Sequence, residues 1–179
     1  MSMTLDGFVE GPNGEMDWLL GGDDLWNEMF KDLESVDTFL LGRKMYPGYS
    51  EFWMSMLNNT TADPNLVKYA QLADKREHIV FTKGDLKPTW KNTRVAHDLP
   101  GEVARLKKQE GKDIISWGGA NFASNLINLG LVDEYRITLN PTLLTGGKSM
   151  FNNLEKISKL KLSDVRPTQA GLVILRYKS

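Results

Sequence analysis

The chain has no cysteine among its 179 residues. That excludes disulfides, thiolate catalysis and cysteine-based zinc sites, and it fits a reducing compartment. Histidine is almost as scarce, with only His78 and His97. Each borders an apolar stretch, and neither has a His, Asp or Glu partner at a metal-binding spacing such as HExxH. Both read as ordinary strand-end residues, and no metal site is expected. An excess of one charge is missing too: 22 Lys and Arg face 23 Asp and Glu, a formal net charge of -1. Such a balance leaves no broad footprint for nucleic acid or for an anionic membrane, so any anion site has to be local. No apolar run reaches the roughly 18 residues of a membrane span. The opening residues also lack the basic-then-apolar pattern of a secretory signal. These absences point to a cytoplasmic protein whose partner is a small molecule.

What is present reads as one globular α/β domain over residues 1–179, with 41% hydrophobic and 25% charged residues. Short apolar runs such as TFLLG, HIVFT and DIISW have the length and β-branched or aromatic content of buried strands. Helical spacings alternate with them. Asp23 and Asp24 cap a helix whose apolar face is Leu25, Trp26, Met29, Phe30 and Leu33. RKMYPGYSEFW reads as a helix interrupted near Pro47 and Gly48. Asp63-Pro64 is an N-cap followed by proline at the first helical position. LPGEVARLKKQEG and ANFASNLINLG are helices ended by glycine, and the C-terminal KLKLSDVRPTQAGLVILRYKS is an antiparallel hairpin around TQAG. Strands separated by helices predict a mixed, mainly parallel sheet covered on both faces, a three-layer α/β/α architecture.

In such sheets ligands bind beyond the carboxyl ends of the strands, and three of those ends have an unusual composition. They are Gly42-Arg43-Lys44, Thr82-Lys83-Gly84 and Gly118-Gly119-Ala120-Asn121. Glycines before a helix let a phosphate approach unpaired backbone N–H groups, although the same glycines serve equally well in a tight turn with Asn121 as the cap. Arg43 and Lys44 suit a phosphate, and cations at a helix start run against its dipole. GxGxxG is absent. TGGKS at 145–149 resembles a phosphate-binding loop, but the position that requires its first glycine is Thr142.

The order SMTLDGFVEGPNGEMDW, FLLGRKMY, HIVFTKG and IISWGGANFASNLINLGLVDEYRITLNPTLLTGG resembles the dihydrofolate-reductase-like superfamily. More closely it is similar to stand-alone relatives of the C-terminal reductase domain of the bifunctional riboflavin-biosynthesis deaminase/reductase. The resemblance runs from about residue 2 to 178 and implies an NADPH-dependent reductase, a 5-amino-6-(5-phosphoribosylamino)uracil reductase-like enzyme or a dihydrofolate reductase, and a homodimer. It implies that Gly42, Arg43 and Lys44, with Thr82 and Lys83, face the adenosine phosphate. Gly118, Gly119, Ala120, Asn121 and Phe122 would hold the pyrophosphate, and Thr4 and Leu5 would lie beside the nicotinamide. Residues 10–18 correspond to a loop that closes over the site. Asp6 and Asp17 are the catalytic candidates, and Trp18 and Trp26 belong to the substrate pocket. Two departures stand out: Trp26 replaces the carboxylate with which dihydrofolate reductases grip a pterin, and Phe8 replaces a basic residue after LDG. A nucleotide-binding module without turnover is the alternative.

Overall fold

A computed structural model describes residues 1–179. The chain divides into two compact units, Met1–Asn27 with Ala120–Ser179, and Glu28–Gly119. We call them unit 1 and unit 2. None of its helices is long and apolar enough to cross a membrane.

Unit 2 is built on a parallel sheet of β3 (Val36–Gly42), β4 (Glu77–Phe81), β5 (Thr93–Ala96) and β6 (Asp113–Ser116), in the order β5-β4-β3-β6. Its central strands are buried on both faces, which is why FLL and IVF read as unbroken apolar runs. Between β3 and β4 lie α2 (Tyr46–Met56) and α3 (Pro64–Ala73), and α4 (Leu99–Lys107) joins β5 to β6. The first crossovers run from β3 towards β5, whereas the last returns past β3 to the opposite edge. With right-handed crossovers, this reversal puts α4 on the other face of the sheet from α2 and α3.

Local signals explain the helix starts. Asp63 accepts the Asn65 N–H at 2.7 Å with Pro64 behind it, and Asp98 accepts the Gly101 N–H at 3.1 Å to open α4. Pro47 corrects one expectation. It lies in the first turn of α2, where a missing N–H costs nothing, and so starts the helix instead of interrupting it.

Unit 1 holds β1 (Ser2–Thr4), β7 (Glu134–Asn140), β9 (Lys161–Pro167) and β10 (Val173–Lys178) in a mixed sheet of order β1-β7-β10-β9. β1 and β7 are parallel and the β9–β10 hairpin is antiparallel, as its turn chemistry predicts. A separate ribbon pairs β2 (Phe8–Glu10) with β8 (Lys148–Ser149). The helix α5 (Ala120–Asn128) belongs to this unit, and α1 (Asp23–Glu34) carries the division between the units. Because α5 begins at Ala120, Asn121 lies inside its first turn and is not the cap.

Candidate functional site

Parallel pairing brings the carboxyl ends of β4, β3 and β6 side by side on one edge of unit 2. The three unusual strand ends are therefore neighbours. Strand order reverses between β3 and β6, the place where open α/β sheets bind ligands. Gly42 ends β3, and Arg43 and Lys44 follow it exposed, with the Arg43 N–H donating to the Phe81 carbonyl of β4 at 3.2 Å. The guanidinium reaches over the next strand end: Arg43 Nη1 would stand 3.3 Å from a Cβ at Gly84, so glycine there gives it room. Thr82 is buried and its hydroxyl exchanges hydrogen bonds with the N–H and carbonyl of Gly84, both at 3.1 Å, while Lys83 projects outward. At β6, Gly118 has φ +122°, which requires glycine, and its peptide bond to Gly119 is cis. A Cβ at Gly119 would meet no atom within 4 Å. Protein packing therefore does not demand glycine at 119, and the open space above the backbone suits a close anionic ligand.

His97, read from the sequence as an ordinary strand-end residue and not as a site residue, joins this edge. It follows β5, and its Nδ1 lies 2.7 Å from the Thr82 carbonyl. A carbonyl only accepts, so Nδ1 carries the hydrogen, leaving Nε2 as the ring's other polar atom. His78 also departs from expectation. It lies in β4 as the run HIVFT predicts, but it is fully buried and not an ordinary strand-end residue, stacked on Trp90 at 4.8 Å and 3.2 Å from the Tyr49 hydroxyl. Burial lowers its pKa to about 4, against smaller upward pulls from the Arg76 backbone and Asp74. The Tyr49 hydroxyl also meets that of Tyr69 at 3.2 Å, and burial raises the pKa of both. Tyr69 in turn lies edge-on to Trp117, 6.2 Å away, directly before Gly118. This aromatic network supports the glycine turn from inside the unit.

Unit 1 has a second parallel strand end, at β1 and β7. Thr4 is buried, and its hydroxyl donates to Asp6 Oδ1 at 2.6 Å while accepting the Phe8 N–H at 2.9 Å. The other oxygen of Asp6 accepts the N–H groups of Leu144 and Thr145 at 3.0 and 2.9 Å. The Thr4 hydroxyl and these backbone donors hold the Asp6 carboxyl below its ordinary pKa. Asp6 is thus a carboxylate fully engaged in tying two loops together, which is poor equipment for a proton donor. Thr145 is held with φ +62°, an unusual conformation for a β-branched residue.

Asp17 is exposed, and Trp18 next to it is buried, with its indole N–H donating to the Glu15 carbonyl at 3.1 Å. Loop 10–18 is closed on itself by the Gly11 N–H to the Glu15 carbonyl at 2.9 Å. Its far end is tied down by Asn140, a buried residue missing from the sequence reading, which accepts the Leu20 N–H at 3.0 Å and donates to the Met3 carbonyl at 3.3 Å. Leu5 is exposed beside Thr142, while Trp26 is half-buried in the first turns of α1. Ala120 is buried, Asn121 exposed and Phe122 half-buried on α5. Lys148 continues into β8 and pairs with Glu10 at 2.9 Å, so no helix follows TGGKS as a phosphate-binding loop would need. A shallow hollow of about 370 Å³ lies at the amino ends of β4 and β5, at the opposite end of the unit 2 strands from the candidate edge. Its charges pair among themselves, Lys91 with Asp74 and Arg94 with Glu77.

The order of these strand ends, and a match of residues 1–174 to a single family model, decide the relationship. The chain belongs to the RibD C-terminal domain family. Within curated proteins it is 34% identical over 178 residues to the uncharacterized protein YyaP of Bacillus subtilis (strain 168), covering 99% of this chain and 91% of that one. A solved structure of a protein assigned to riboflavin biosynthesis in Shewanella sp. PV-4 matches with TM-score 0.77 at 18% identity, over 99% of this chain and 95% of that one. Dihydrofolate reductase from Enterococcus faecalis, complexed with NADP(H), matches with TM-score 0.65 at 20% identity, over 99% and 92%. The deaminase/5-amino-6-(5-phosphoribosylamino)uracil reductase of Thermotoga maritima matches with TM-score 0.68 at 14% identity, and this chain spans 54% of it. At such identities the structures establish the fold: this member of the RibD C-terminal domain family has the dihydrofolate-reductase-like fold.

Proposed function

We propose that the chain is an NADPH-dependent oxidoreductase that reduces a small heteroaromatic substrate, acting as one reductase domain of the 5-amino-6-(5-phosphoribosylamino)uracil reductase type. The observation that carries this reading is the row of three adjacent strand ends in unit 2, with Arg43, Lys44, Thr82, Lys83, Gly118 and Gly119 on one edge. Arg43 offers a bidentate cation, the open space at Gly119 admits a phosphate against the backbone, and Thr82 braces the turn that carries Lys83. Ala120, Asn121 and Phe122 extend the pyrophosphate turn by resemblance, as Thr4 and Leu5 represent the nicotinamide side.

When bound, the reduced nicotinamide supplies a hydride, and the substrate takes up one proton with it. Asp6, held as a carboxylate by its hydrogen bonds, keeps the strand end in place, and exposed Asp17 is the other catalytic candidate. Trp18 anchors the loop that excludes water, and Trp26 gives an aromatic wall where a pterin-gripping carboxylate would stand, which disfavours dihydrofolate. A homodimer and a cytoplasmic location rest on the resemblance and the composition alone.

Fluorescence titration with NADPH tests the reading. Binding should be saturable below millimolar cofactor, and Arg43→Ala should weaken NADPH roughly tenfold to a hundredfold, the effect of losing a charge-assisted contact, with NADH changed far less. Absence of NADPH binding would end the proposal. A second reading, a nucleotide-binding module without turnover, is favoured by the engaged state of Asp6, and substrate-dependent NADPH oxidation would exclude it.

A further inference from the structure

The outermost strand of the unit 2 sheet, β5, ends beside β4 and carries a group that none of the cofactor contacts above uses. His97 follows β5, and its Nδ1–H donates to the Thr82 carbonyl at 2.7 Å. One residue earlier the Thr82 N–H donates to the Ala96 carbonyl at 3.1 Å. Backbone pairing and this side-chain bond together fix where the imidazole stands. The residue is exposed, and Nε2 has no protein partner.

The turn Thr82-Lys83-Gly84 is therefore flanked on both sides. Towards β3, Arg43 Nη1 stands 3.3 Å from where a Cβ on Gly84 would lie, and towards β5 the His97 ring rests on the Thr82 carbonyl. Lys83 projects from the middle of the turn. The charged groups on the surrounding elements are Arg43 and Lys44 after β3, Lys83, Asp85 and Lys87 after β4, and Asp98 and Glu102 at the start of α4. Asp98 accepts the Gly101 N–H at 3.1 Å, and Glu102 holds Arg94 and Arg105, which leaves Asp85 as the one untied acid. An anion over this turn meets a guanidinium on one side and an imidazole on the other.

With Nδ1–H committed, Nε2 of a neutral ring only accepts, and a phosphate oxygen accepts as well. The two atoms attract when a proton lies between them, so a bound phosphate favours the charged ring. We propose that His97 is a further phosphate contact of this edge, one that takes a proton from solvent onto Nε2 when the 2′-phosphate of NADPH binds. The proposal rests on the reductase reading for the identity of the ligand, and it adds a residue and a pH dependence that the reading does not contain. Binding is reciprocal: proton and phosphate strengthen each other by the same factor. NADPH, which carries the 2′-phosphate, should thus gain from His97 as the pH falls through the range in which histidines charge, whereas NADH, which lacks it, should not.

The test is fluorescence titration of the full chain with NADPH and with NADH at pH 6.5 and 8.5, for the native protein and for His97→Gln. Glutamine keeps a polar side chain at this exposed position and carries no charge. At pH 6.5 the substitution should weaken NADPH about tenfold, the effect of one charge-assisted contact, and at pH 8.5 by no more than about threefold. NADH affinity should be unchanged at both values, which also shows that the edge is intact. Calorimetry with NADPH at pH 7.0 in two buffers of different ionisation enthalpy should reveal proton uptake by the native protein that largely disappears in the variant. The ionisation of the phosphate itself is common to both proteins and cancels in the comparison. An equal loss at both pH values, no loss at either, a matching loss for NADH, or undiminished proton uptake in His97→Gln would each overturn the inference. Failure of NADPH to bind the native protein would remove the reductase reading and the inference together, whereas NADPH binding with the same pH dependence in both proteins would remove the inference alone.

Discussion

The same structural feature, the carboxyl end of adjacent parallel strands, occurs once in each unit with opposite chemistry. In unit 2 the ends of β3, β4 and β6 leave Arg43, Lys44 and Lys83 exposed around glycines. In unit 1 the end of β1 and β7 turns its polar groups inward, Thr4 to Asp6, Asp6 to Leu144 and Thr145, Asn140 to Leu20 and Met3, and leaves leucines outside. Strand position therefore says where a ligand is expected, and composition says which part of it. The cationic edge suits a phosphate, whereas the unit 1 end has spent the Asp6 carboxylate on backbone ties and leaves apolar side chains exposed. The two ends are also held differently: unit 2 relies on a buried aromatic network around His78, and unit 1 on side chain to backbone ties.

Acid should separate the two most strongly. In the unfolded chain a histidine titrates near about 6.5, whereas His78 in the folded chain is lowered to about 4. Its folded form resists the proton, so between these values the unfolded state binds more protons. The stability contributed by neutral His78 is complete above about pH 6.5 and is lost as pH falls towards 4, by up to about 3 kcal/mol. Urea midpoints at pH 7.5 and 4.5, read by the fluorescence of Trp53, Trp90 and Trp117, measure it. His78→Gln should flatten the slope across that window. A slope that survives the substitution would move the acid-sensitive element out of unit 2 and break the contrast.

The ties of unit 1 predict a smaller, localised loss. Asn140→Ala strips partners from the Leu20 N–H and the Met3 carbonyl, which are only partly shielded from water, and costs about 1 kcal/mol. The melting temperature should drop by several degrees, and limited proteolysis should cut first within residues 10–20, whose far anchor is gone. Asn121→Ala is the control in the same unit. The residue is exposed on α5, and its removal should leave both readouts unchanged within error. Equal effects of the two substitutions would show that the Asn140 ties do not hold the loop.

These predictions also mark where sequence was informative. Asp63-Pro64, the β9–β10 hairpin and the apolar strands were legible because their causes lie within a few residues. The phosphate-compatible ends were legible in composition, and the parallel register of β4, β3 and β6 explains why three separated tripeptides share one edge. Asn140 was not legible, since its acceptor role for Leu20 spans 120 residues and nothing local distinguishes it from a strand-end asparagine before proline. Asp6 was chosen as a catalytic candidate, but beside Thr4 its partners lie 138 and 139 residues away. The burial of His78 depends on aromatic side chains from β3, α2 and the segment before β5, which only the folded sheet assembles. Pro47 was misread for a simpler reason: proline stops a helix from inside and starts one from its first turn, and the sequence alone does not say which turn it occupies.

The smallest effect concerns the strain that accompanies the inward ties of unit 1. Thr145 sits at φ +62°, a conformation that costs a residue with a Cβ about 1–2 kcal/mol, and more discomfort attaches to a β-branched one. It is held there because its N–H and that of Leu144 both reach Asp6 Oδ2. Those contacts are made by the backbone, so Thr145→Gly keeps them and removes the clash. The larger freedom of glycine in the unfolded chain offsets roughly 0.5–1 kcal/mol of the gain. The net expectation is a rise of about 1–3 °C in melting temperature. The gain depends on Asp6 being the clamp, so in an Asp6→Ala background, which removes the acceptor and lets the segment relax, Thr145→Gly should add nothing. Equal gains in both backgrounds would mean that the strain belongs to the loop itself and that Asp6 does not set the shape of the segment around Leu144 and Thr145.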